Sequence, residues 1–382
     1  MELPGDLDKK IAELSPAKRA LLERLRSKSA EPPPITARPP GSTIPLSFAQ
    51  RRLWFLYALN PASTLYNVPR ALRLEGKLDA AALEQSLNSI AARHEVLRTS
   101  FRMTADGPVQ VVASNLNIPL PVTDLSSALE GERTAILERL AVEEVQIPFD
   151  LGKGPVWRAR LFRLSPEDHV LVMVLHHIVS DGWTGGILFD ELGSLYDAIV
   201  RKRPSPLPEV SLQYADYAVW QRSWLESEAL ESQLAYWREQ LKDTTGELNL
   251  PADYSRPSLA SYRGATRAIV LGGQSEKIRA FSREHGTTVF TTMLAALNIL
   301  LYRWTGQSDL VVGTITANRN QLQTERMVGC FMNFLPLRSR FREADSGAEI
   351  LAGTKRTVLE AYAHQECPFE RLIEDINPQR KL

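Results

Sequence analysis

The sequence predicts a layered α/β fold with two units that each bury a core. Strand and helix patterns alternate through the first half of the chain, and the alternation repeats in the second half. The chain has 382 residues, of which 44% are hydrophobic and 24% are charged, so it is long enough for two such units. Its most regular stretch, residues 168–174, is almost wholly apolar and β-branched, which predicts a strand that is buried on both faces.

Composition and charge exclude several classes of protein. The formal net charge is zero, which gives no basis for nucleic acid or an anionic membrane as the main partner. The sequence contains no apolar run long enough to span a bilayer, and its first residues do not resemble a signal peptide. Two cysteines, Cys330 and Cys367, do not imply a disulfide framework. These observations predict a cytoplasmic protein without a membrane or nucleic-acid partner.

The first 43 residues differ from the rest of the chain in composition. Residues 6–28 have the apolar spacing of one or two short amphipathic helices, with Ser15-Pro16 as the N-cap and first helical position. We assign residues 1–28 as an N-terminal helical segment, which either packs on the main body or acts as a docking and linker element between modules. Residues 29–43 are rich in proline, which predicts an extended linker.

Residues 44–208 are predicted to form a first lobe of alternating helices and strands. Ser47 is placed to cap the first helix, because a serine side chain accepts hydrogen bonds from N–H groups of the first turn. Residues 165–168 form a turn that lets the two flanking strands pair. The predicted helices are 46–56, 79–93, 130–146 and 184–200, and the predicted strands are 70–75, 109–112, 156–164 and 168–174.

A second lobe is predicted over residues 209–382. A stretch with three prolines, residues 202–208, begins the crossing between the two lobes. The aromatic residues near the start of the second lobe are predicted to belong to its core, in line with general burial tendencies. The predicted helices are 214–241 with a break, 275–285 and 291–304, and the predicted strands are 268–271 and 310–316.

Two histidines and an aspartate stand where the buried strand ends and the next helix begins. A rigid strand positions His176, His177 and Asp181, and a turn exposes them, which is a common arrangement for a chemical site. A histidine there can take a proton at neutral pH, and the aspartate can orient it or hold an arginine. A satisfied pair of core histidines fits the spacing equally well. A metal site is the weaker interpretation, because adjacent strand residues point to opposite faces.

Residues 176–182, His-His-Ile-Val-Ser-Asp-Gly, match the HHxxxDG signature of condensation domains of non-ribosomal peptide synthetases. Five other stretches resemble the motifs of that family, in the order of the family. They are residues 47–56 (SxAQxRLWxL), 93–101 (RHExLRTxF), 214–220 (YxDYAxW), 328–338 (VGxFxNTLPLR) and 364–370 (HQDxPFE). Two positions depart from these patterns, since Phe334 stands for threonine and Glu366 for aspartate. By this combined match, the chain resembles a condensation domain.

The motifs also separate the chain from related families. Heterocyclisation domains carry an aspartate at the histidine positions, and epimerisation domains usually depart from the motifs at residues 93–101, 328–338 and 364–370. Condensation domains usually continue for several tens of residues past the last motif and supply a last strand and helix to the second lobe. The resemblance therefore predicts that this chain is C-terminally short, with a sheet edge left uncovered.

The resemblance implies two chloramphenicol acetyltransferase-like lobes in a V-shaped pseudo-dimer with a central tunnel. A donor carrier domain is expected to present an acyl or peptidyl thioester, and an acceptor carrier domain an aminoacyl thioester, each on a 4'-phosphopantetheine arm. The acceptor amine then attacks the donor carbonyl, and an amide forms. The resemblance implies adjacent synthetase modules as further partners, and no cofactor or metal held by the domain itself.

The resemblance also assigns roles to residues of the signature. His177 is expected to face the tunnel and to orient the amine or take its proton, while His176 points the other way and is buried. Asp181 is expected to be structural and to pair with an arginine. Gly182 is expected to permit a close approach of the backbone, with its amide helping to position the substrate. The candidate arginines are Arg93, Arg98 and Arg319, and the candidate tunnel residues are Trp183 and Asn333.

Two other functions stay open on the sequence. The first is a stand-alone acyltransferase that uses a soluble acceptor, as in other members of the same fold. The second is a truncated, non-catalytic module that docks carrier domains without turnover. An assay with a soluble amine in place of the acceptor carrier separates condensation from stand-alone acyl transfer.

Overall fold

The computed structural model describes residues 32–225, 228–244, 246–255, 262 and 264–376, and the helices predicted within residues 6–28 lie outside this part. Contacts within the chain divide it into two compact units. The first unit comprises Pro33–Glu226 and Ala317–Met332, and the second includes the described residues of Ser227–Thr316 and Asn333–Leu382. The division therefore falls after the first helix of the predicted second lobe, and a stretch of that lobe returns to the first unit.

The first unit follows the predicted order of helices and strands. Its strands are β1 (Ile44–Pro45), β2 (Asn67–Glu75), β3 (Thr99–Thr104), β4 (Gly107–Val112), β5 (Val122–Asp124), β6 (Trp157–Ser165) and β7 (Asp168–His176). Its helices are α1 (Phe48–Leu59), α2 (Ala80–Arg93), α3 (Glu130–Val145), α4 (Gly182–Val200) and α5 (Tyr214–Leu225). Ser47 caps α1 as predicted, in a capping box with Gln50.

Strand β7 is the central element of the first unit and ends at the two histidines. It lies between β2 and β6 in a four-stranded sheet of order β2-β7-β6-β5, and residues 171–176 are buried. The pairing of β6 with β7 and the burial of β7 on both faces are confirmed. A separate three-stranded sheet has the order β1-β4-β3. Because hydrogen bonds hold β7 along both edges, its last residues have a fixed position.

A proline-rich arm, residues 33–43, packs on the first unit instead of leading away from it as a linker. The backbone of Ile35, which is buried, exchanges hydrogen bonds of 3.1 and 2.9 Å with the side-chain amide of Gln323. Arg38 forms ion pairs with Asp216 at 2.8 Å and with Glu95 at 2.7 Å. An extended, proline-rich backbone has no internal hydrogen bonds, so its polar groups are available to side chains of the main body.

The second unit is less regular than its sequence predicts. Its described elements are α6 (Glu228–Leu241), α7 (Ser275–Glu284), α8 (Val289–Thr305), β8 (Asp309–Thr316), β9 (Asn333–Arg340), α9 (Gly347–Ala363) and α10 (Phe369–Ile376). The strand predicted over residues 268–271 is wrong, because the side chains of Ile269 and Val270 are 84% and 90% exposed and the backbone has no strand partner among the described residues. A strand requires a neighbouring strand, and the described sheet of this unit pairs only β8 with β9.

Candidate functional site

The candidate site begins where β7 runs into a short 3₁₀ turn, His177–Val179. The N–H of His176 donates to the carbonyl of Val156 at 2.8 Å, and the N–H of His177 donates to the carbonyl of Tyr66 at 2.8 Å. The segments on both sides of β7 therefore hold the backbone of the two histidines. The side chain of His176 is buried, whereas that of His177 is half-buried.

His176 is a neutral, hydrogen-bonded core residue. Its Nδ1 accepts a hydrogen bond from the N–H of Ile178 at 3.1 Å, and its ring lies edge-on to Phe149 at a centroid distance of 6.2 Å. Burial lowers the pKa of His176 to about 3, and the neighbouring charge of His177 acts in the same direction. His176 therefore stays uncharged near neutral pH and supports the turn that carries His177.

His177 has one side-chain contact among the described residues. Its Nδ1 lies 3.8 Å from Sγ of Cys330, which belongs to the stretch that returns to the first unit. The other ring nitrogen, Nε2, has no hydrogen-bond partner in the described part of the chain. The half-buried ring therefore has one nitrogen held by the protein and one available to a substrate.

Asp181 is fully engaged in holding the structure. As the N-cap of α4 it accepts a hydrogen bond from the N–H of Thr184 at 2.8 Å, and it accepts another from the N–H of Phe331 at 3.1 Å. Nη2 of Arg319 donates to both carboxylate oxygens, at 3.2 and 3.1 Å. Both side chains are at most 5% exposed. Of the three candidate arginines, the structure therefore places Arg319 beside Asp181.

Arg319 also binds the stretch that returns to the first unit. Its Nη1 donates to the carbonyls of Thr324 and Met327, and its guanidinium lies 4.0 Å from the centre of the Phe331 ring. Burial lowers the pKa of Arg319 from its ordinary value, although the charge of Asp181 acts against this change. The ion pair thus joins the start of α4 to residues that lie more than a hundred positions later.

Arg93 and Arg98 do not contact Asp181, which corrects the list of candidate partners. Nε of Arg93 lies 3.2 Å from both carboxylate oxygens of Glu191 in α4, and Nε2 of His94 lies 2.7 Å from Oε2 of Glu191. Although burial alone would raise it, these contacts lower the pKa of Glu191. Arg98 donates to the carbonyl of Ala113. The motif at residues 93–101 therefore joins α2 to α4 behind the site.

The remaining predicted site residues fall in different places. Trp183 is 52% exposed, and its Nε1 donates to the carbonyl of Glu325 at 2.9 Å. Gly182 begins α4, and a Cβ at this position would meet no atom within 4 Å, so the chain itself makes no close approach there. Asn333 donates both amide hydrogens, to the carbonyls of Gln365 and Cys367, and is buried in the second unit. Its side chain holds β9 to the following loop, so its assignment as a tunnel residue is not supported.

Sequence reasoning missed the polar residues that support the site from α1 and α5. Gln50 is fully buried and donates to the carbonyl of Ile178 at 3.3 Å, in the turn that carries His177. The hydroxyls of Ser47 and Tyr214 lie 2.7 Å apart, and the Tyr214 hydroxyl also donates to the carbonyl of Cys330. A buried glutamine inside a family motif was a signal of such a role, but the sequence does not show its partner.

Gly329 lies against the ring of Tyr214, and we expect Gly329→Ala to destabilise the protein. A Cβ at this position would stand 1.9 Å from Cδ2 of the buried ring, so the ring or the backbone must move. Such overpacking costs about 1–3 kcal/mol in the free energy of unfolding, which denaturant titration measures. Gly193→Ala in α4 is the matched control, because its Cβ meets no atom within 4 Å and alanine favours a helix. Equal stability of the two variants would show that the Tyr214 ring is not confined.

Comparison with known proteins shows which family has this fold and these motifs. The family described as "Condensation domain" matches residues 41–382. The chain belongs to the condensation-domain family of non-ribosomal peptide synthetases. This condensation domain is 47% identical over 340 residues to a part of the linear gramicidin synthase of Brevibacillus parabrevis, a match that covers 89% of the chain and 7% of that protein. It is 40% identical over 382 residues to the phosphinothricin tripeptide synthetase PhsC of Streptomyces viridochromogenes, over 99% of the chain and 35% of that protein.

Solved structures support the same assignment of the fold. The X-domain from teicoplanin biosynthesis superimposes with a TM-score of 0.82 at 32% identity, over 90% of this condensation domain and 76% of that chain. The first condensation domain of the calcium-dependent antibiotic synthetase, at 22% identity, gives a TM-score of 0.72 over 88% of this chain and 79% of that one. The predicted α/β class is confirmed by these matches, and the activity of the family is acyl transfer that forms a peptide bond.

The domain spans a small part of the curated relatives that it matches, 7% of the gramicidin synthase protein and 35% of the phosphinothricin one. Within the described ranges, no three His, Cys, Asp or Glu side chains are grouped to hold a metal ion. No helix in the same part of the chain is long and apolar enough to cross a bilayer.

Proposed function

We propose that this domain forms an amide bond between two carrier-bound substrates, with His177 as the group that handles the acceptor amine. The donor is an acyl or peptidyl thioester and the acceptor an aminoacyl thioester, each on the 4'-phosphopantetheine arm of a carrier domain. The observation that carries the proposal is the half-buried ring of His177, fixed at a strand end with Nε2 available to a substrate. The V-shaped arrangement of two lobes around a tunnel stays a prediction of the family resemblance.

The chemistry asks little of the protein beyond positioning and one proton. A thioester is already activated, so the amine nitrogen bonds to the carbonyl carbon and the C–S bond breaks. Nε2 of His177 orients the amine and accepts its proton, which then leaves with the departing sulfur as a thiol. Gly182 begins α4, where backbone N–H groups lack partners inside the helix, and its open side leaves room for the substrate carbonyl. Asp181 and Arg319 hold this geometry without touching the substrate.

The test is a reconstituted condensation reaction. Donor and acceptor carrier domains are loaded with their thioesters, mixed with the domain, and the joined product is followed by mass spectrometry. We expect product on the acceptor carrier, at a rate that falls when a soluble amine replaces the acceptor carrier. Equal rates with the soluble amine would favour the stand-alone acyltransferase.

One comparison favours a second candidate, a protein-binding module without turnover. An X-domain from teicoplanin biosynthesis, with a TM-score of 0.82 to this chain, has been solved in complex with OxyB, so a domain of this fold can serve as a binding partner. Carrier binding without product in the reconstituted assay would favour this function. The complete HHxxxDG stretch, with His177 held as described, supports the catalytic proposal instead.

We expect neither a chelator nor ATP to change the rate of amide formation. The thioester supplies the driving force, and the two histidines cannot share one ion, because Nδ1 of His176 is already bonded to Ile178 within the turn. The measurement adds EDTA, or ATP with Mg²⁺, to the reconstituted reaction and follows product by mass spectrometry. A clear loss of rate with EDTA that Mg²⁺ or Zn²⁺ restores would contradict this mechanism.

A further inference from the structure

Cys330 contacts the histidine on which the proposed function depends. Its side chain is completely buried, and its Sγ lies 3.8 Å from Nδ1 of His177, which is within hydrogen-bond reach for sulfur. In the described part of the chain, this thiol is the side-chain contact of the His177 ring. Position 330 is also the variable position of the family motif at residues 328–338, so the motif itself assigns it no role.

The backbone around Cys330 is fixed residue by residue. The carbonyl of Cys330 accepts a hydrogen bond from the Tyr214 hydroxyl, and the N–H of Phe331 donates to Asp181 at 3.1 Å. On the other side, Gly329 exchanges two hydrogen bonds with Oγ1 of Thr184, at 2.9 and 3.2 Å. Asp181 and Thr184 belong to the start of α4, so the groups that shape the site also place the thiol.

We infer that Cys330 is a positioning residue that selects the tautomer of His177, an inference that rests on the proposed function. In a neutral imidazole one nitrogen carries the proton and the other accepts, and the partner of one nitrogen sets the state of the other. Nδ1–H donates to the sulfur, which leaves the Nε2 lone pair facing the acceptor amine. After proton transfer both nitrogens carry a proton, and the contact between Nδ1–H and sulfur persists.

Sulfur has a consequence that a carboxylate partner would not have. A neutral thiol is a weak hydrogen-bond acceptor, so it orients the ring without adding a negative charge beside it. The proton that Nε2 receives is then passed on readily to the departing thiolate. Cys330 thus affects the rate through the orientation and protonation of His177, without touching substrate.

The experiment compares Cys330→Ala with Cys367→Ala. Cys367 is a matched control, because it is also a buried cysteine but lies in the second unit, where its thiol contacts the carbonyl of Pro368. Burial raises the pKa of Cys367 to about 12, so it is an inert thiol. Two-bond ¹H–¹⁵N correlation spectra report the tautomer of His177 in each protein, and the reconstituted assay gives kcat, KM and the pH profile.

In Cys330→Ala we expect the Nδ1–H tautomer to lose population and kcat to fall about tenfold, the size of one lost hydrogen bond, with little change in KM. The acidic limb of the pH profile should shift, and Cys330→Ser should restore part of the rate. Cys367→Ala should match the unmutated domain in each measurement. If Cys330→Ala does not fold, the same spectra and rates are taken from Cys330→Ser, which must then show an altered tautomer ratio.

An unchanged tautomer ratio in the variants would overturn the inference, even if the rate fell through loss of stability. The spectra do not depend on turnover, so the two proposals fail separately. A tautomer shift in a domain that makes no product would support the role of Cys330 and contradict the proposed function. An unchanged tautomer with normal product formation would do the reverse.

Discussion

His177→Ala is expected to slow amide formation by roughly 10²–10⁴, the usual size of general acid–base assistance. The fold should persist, because the side chain is half-buried and its backbone is held by hydrogen bonds that alanine keeps. The measurement is the reconstituted condensation rate beside a melting curve for each protein. A variant that condenses at the unmutated rate would refute the role of His177.

His176→Ala is the matched comparison for this experiment. It removes a buried ring, a contact with Phe149 and the acceptor for the N–H of Ile178. Truncating such a residue leaves a gap and an unpaired donor, so we expect a loss of stability of roughly 2–4 kcal/mol. Its melting temperature should therefore fall, in contrast to His177→Ala. Similar melting curves and rates for the two variants would mean that the neighbouring histidines do not have the different roles proposed here.

Arg319→Met is expected to be the most destabilising of the substitutions considered. It leaves Asp181 charged, buried and without its cation, and breaking a buried pair in this way costs about 3–5 kcal/mol. Asp181→Asn should cost a similar amount, because it leaves the guanidinium without a counter-charge. Denaturant unfolding measures both effects, and the double variant should recover part of the loss.

The control for the buried pair is the exposed pair of Arg73 and Asp168. Nη2 of Arg73 lies 2.7 Å from Oδ2 of Asp168, but the arginine side chain is 63% exposed. Asp168→Asn should therefore change stability by no more than about 1 kcal/mol. If Asp181→Asn kept full stability and lost all activity, Asp181 would have a direct chemical role instead of the structural one.

Features that depend on local sequence were predictable. The buried strand β7 follows from an apolar run of β-branched residues, and its pairing with β6 follows from a short turn between two such runs. The cap of α1 by Ser47 depends on residues within one turn of each other. The place of the two histidines at a strand end follows from the same local patterns.

Features that depend on distant contacts were not predictable. Three arginines were equally good partners for Asp181 on the sequence, and only the fold brings Arg319 to it across 138 positions. The contact of Cys330 with His177 spans 153 positions and has no local signal. Residues 268–271 show the opposite error, since their local preference for a strand is real but no described strand lies beside them.

The stretch Ala317–Met332 lies in sequence between β8 and β9 of the second unit, yet it belongs to the first. During synthesis the first unit therefore cannot be completed from its own contiguous residues, because Arg319 and Cys330 emerge from the ribosome after β8. Until then Asp181 has no cation and the Tyr214 hydroxyl lacks the carbonyl to which it donates. A cut made between the two units, at residue 226, would separate His177 from its supports, so the smallest transferable piece that carries an intact site must include both crossings of the chain.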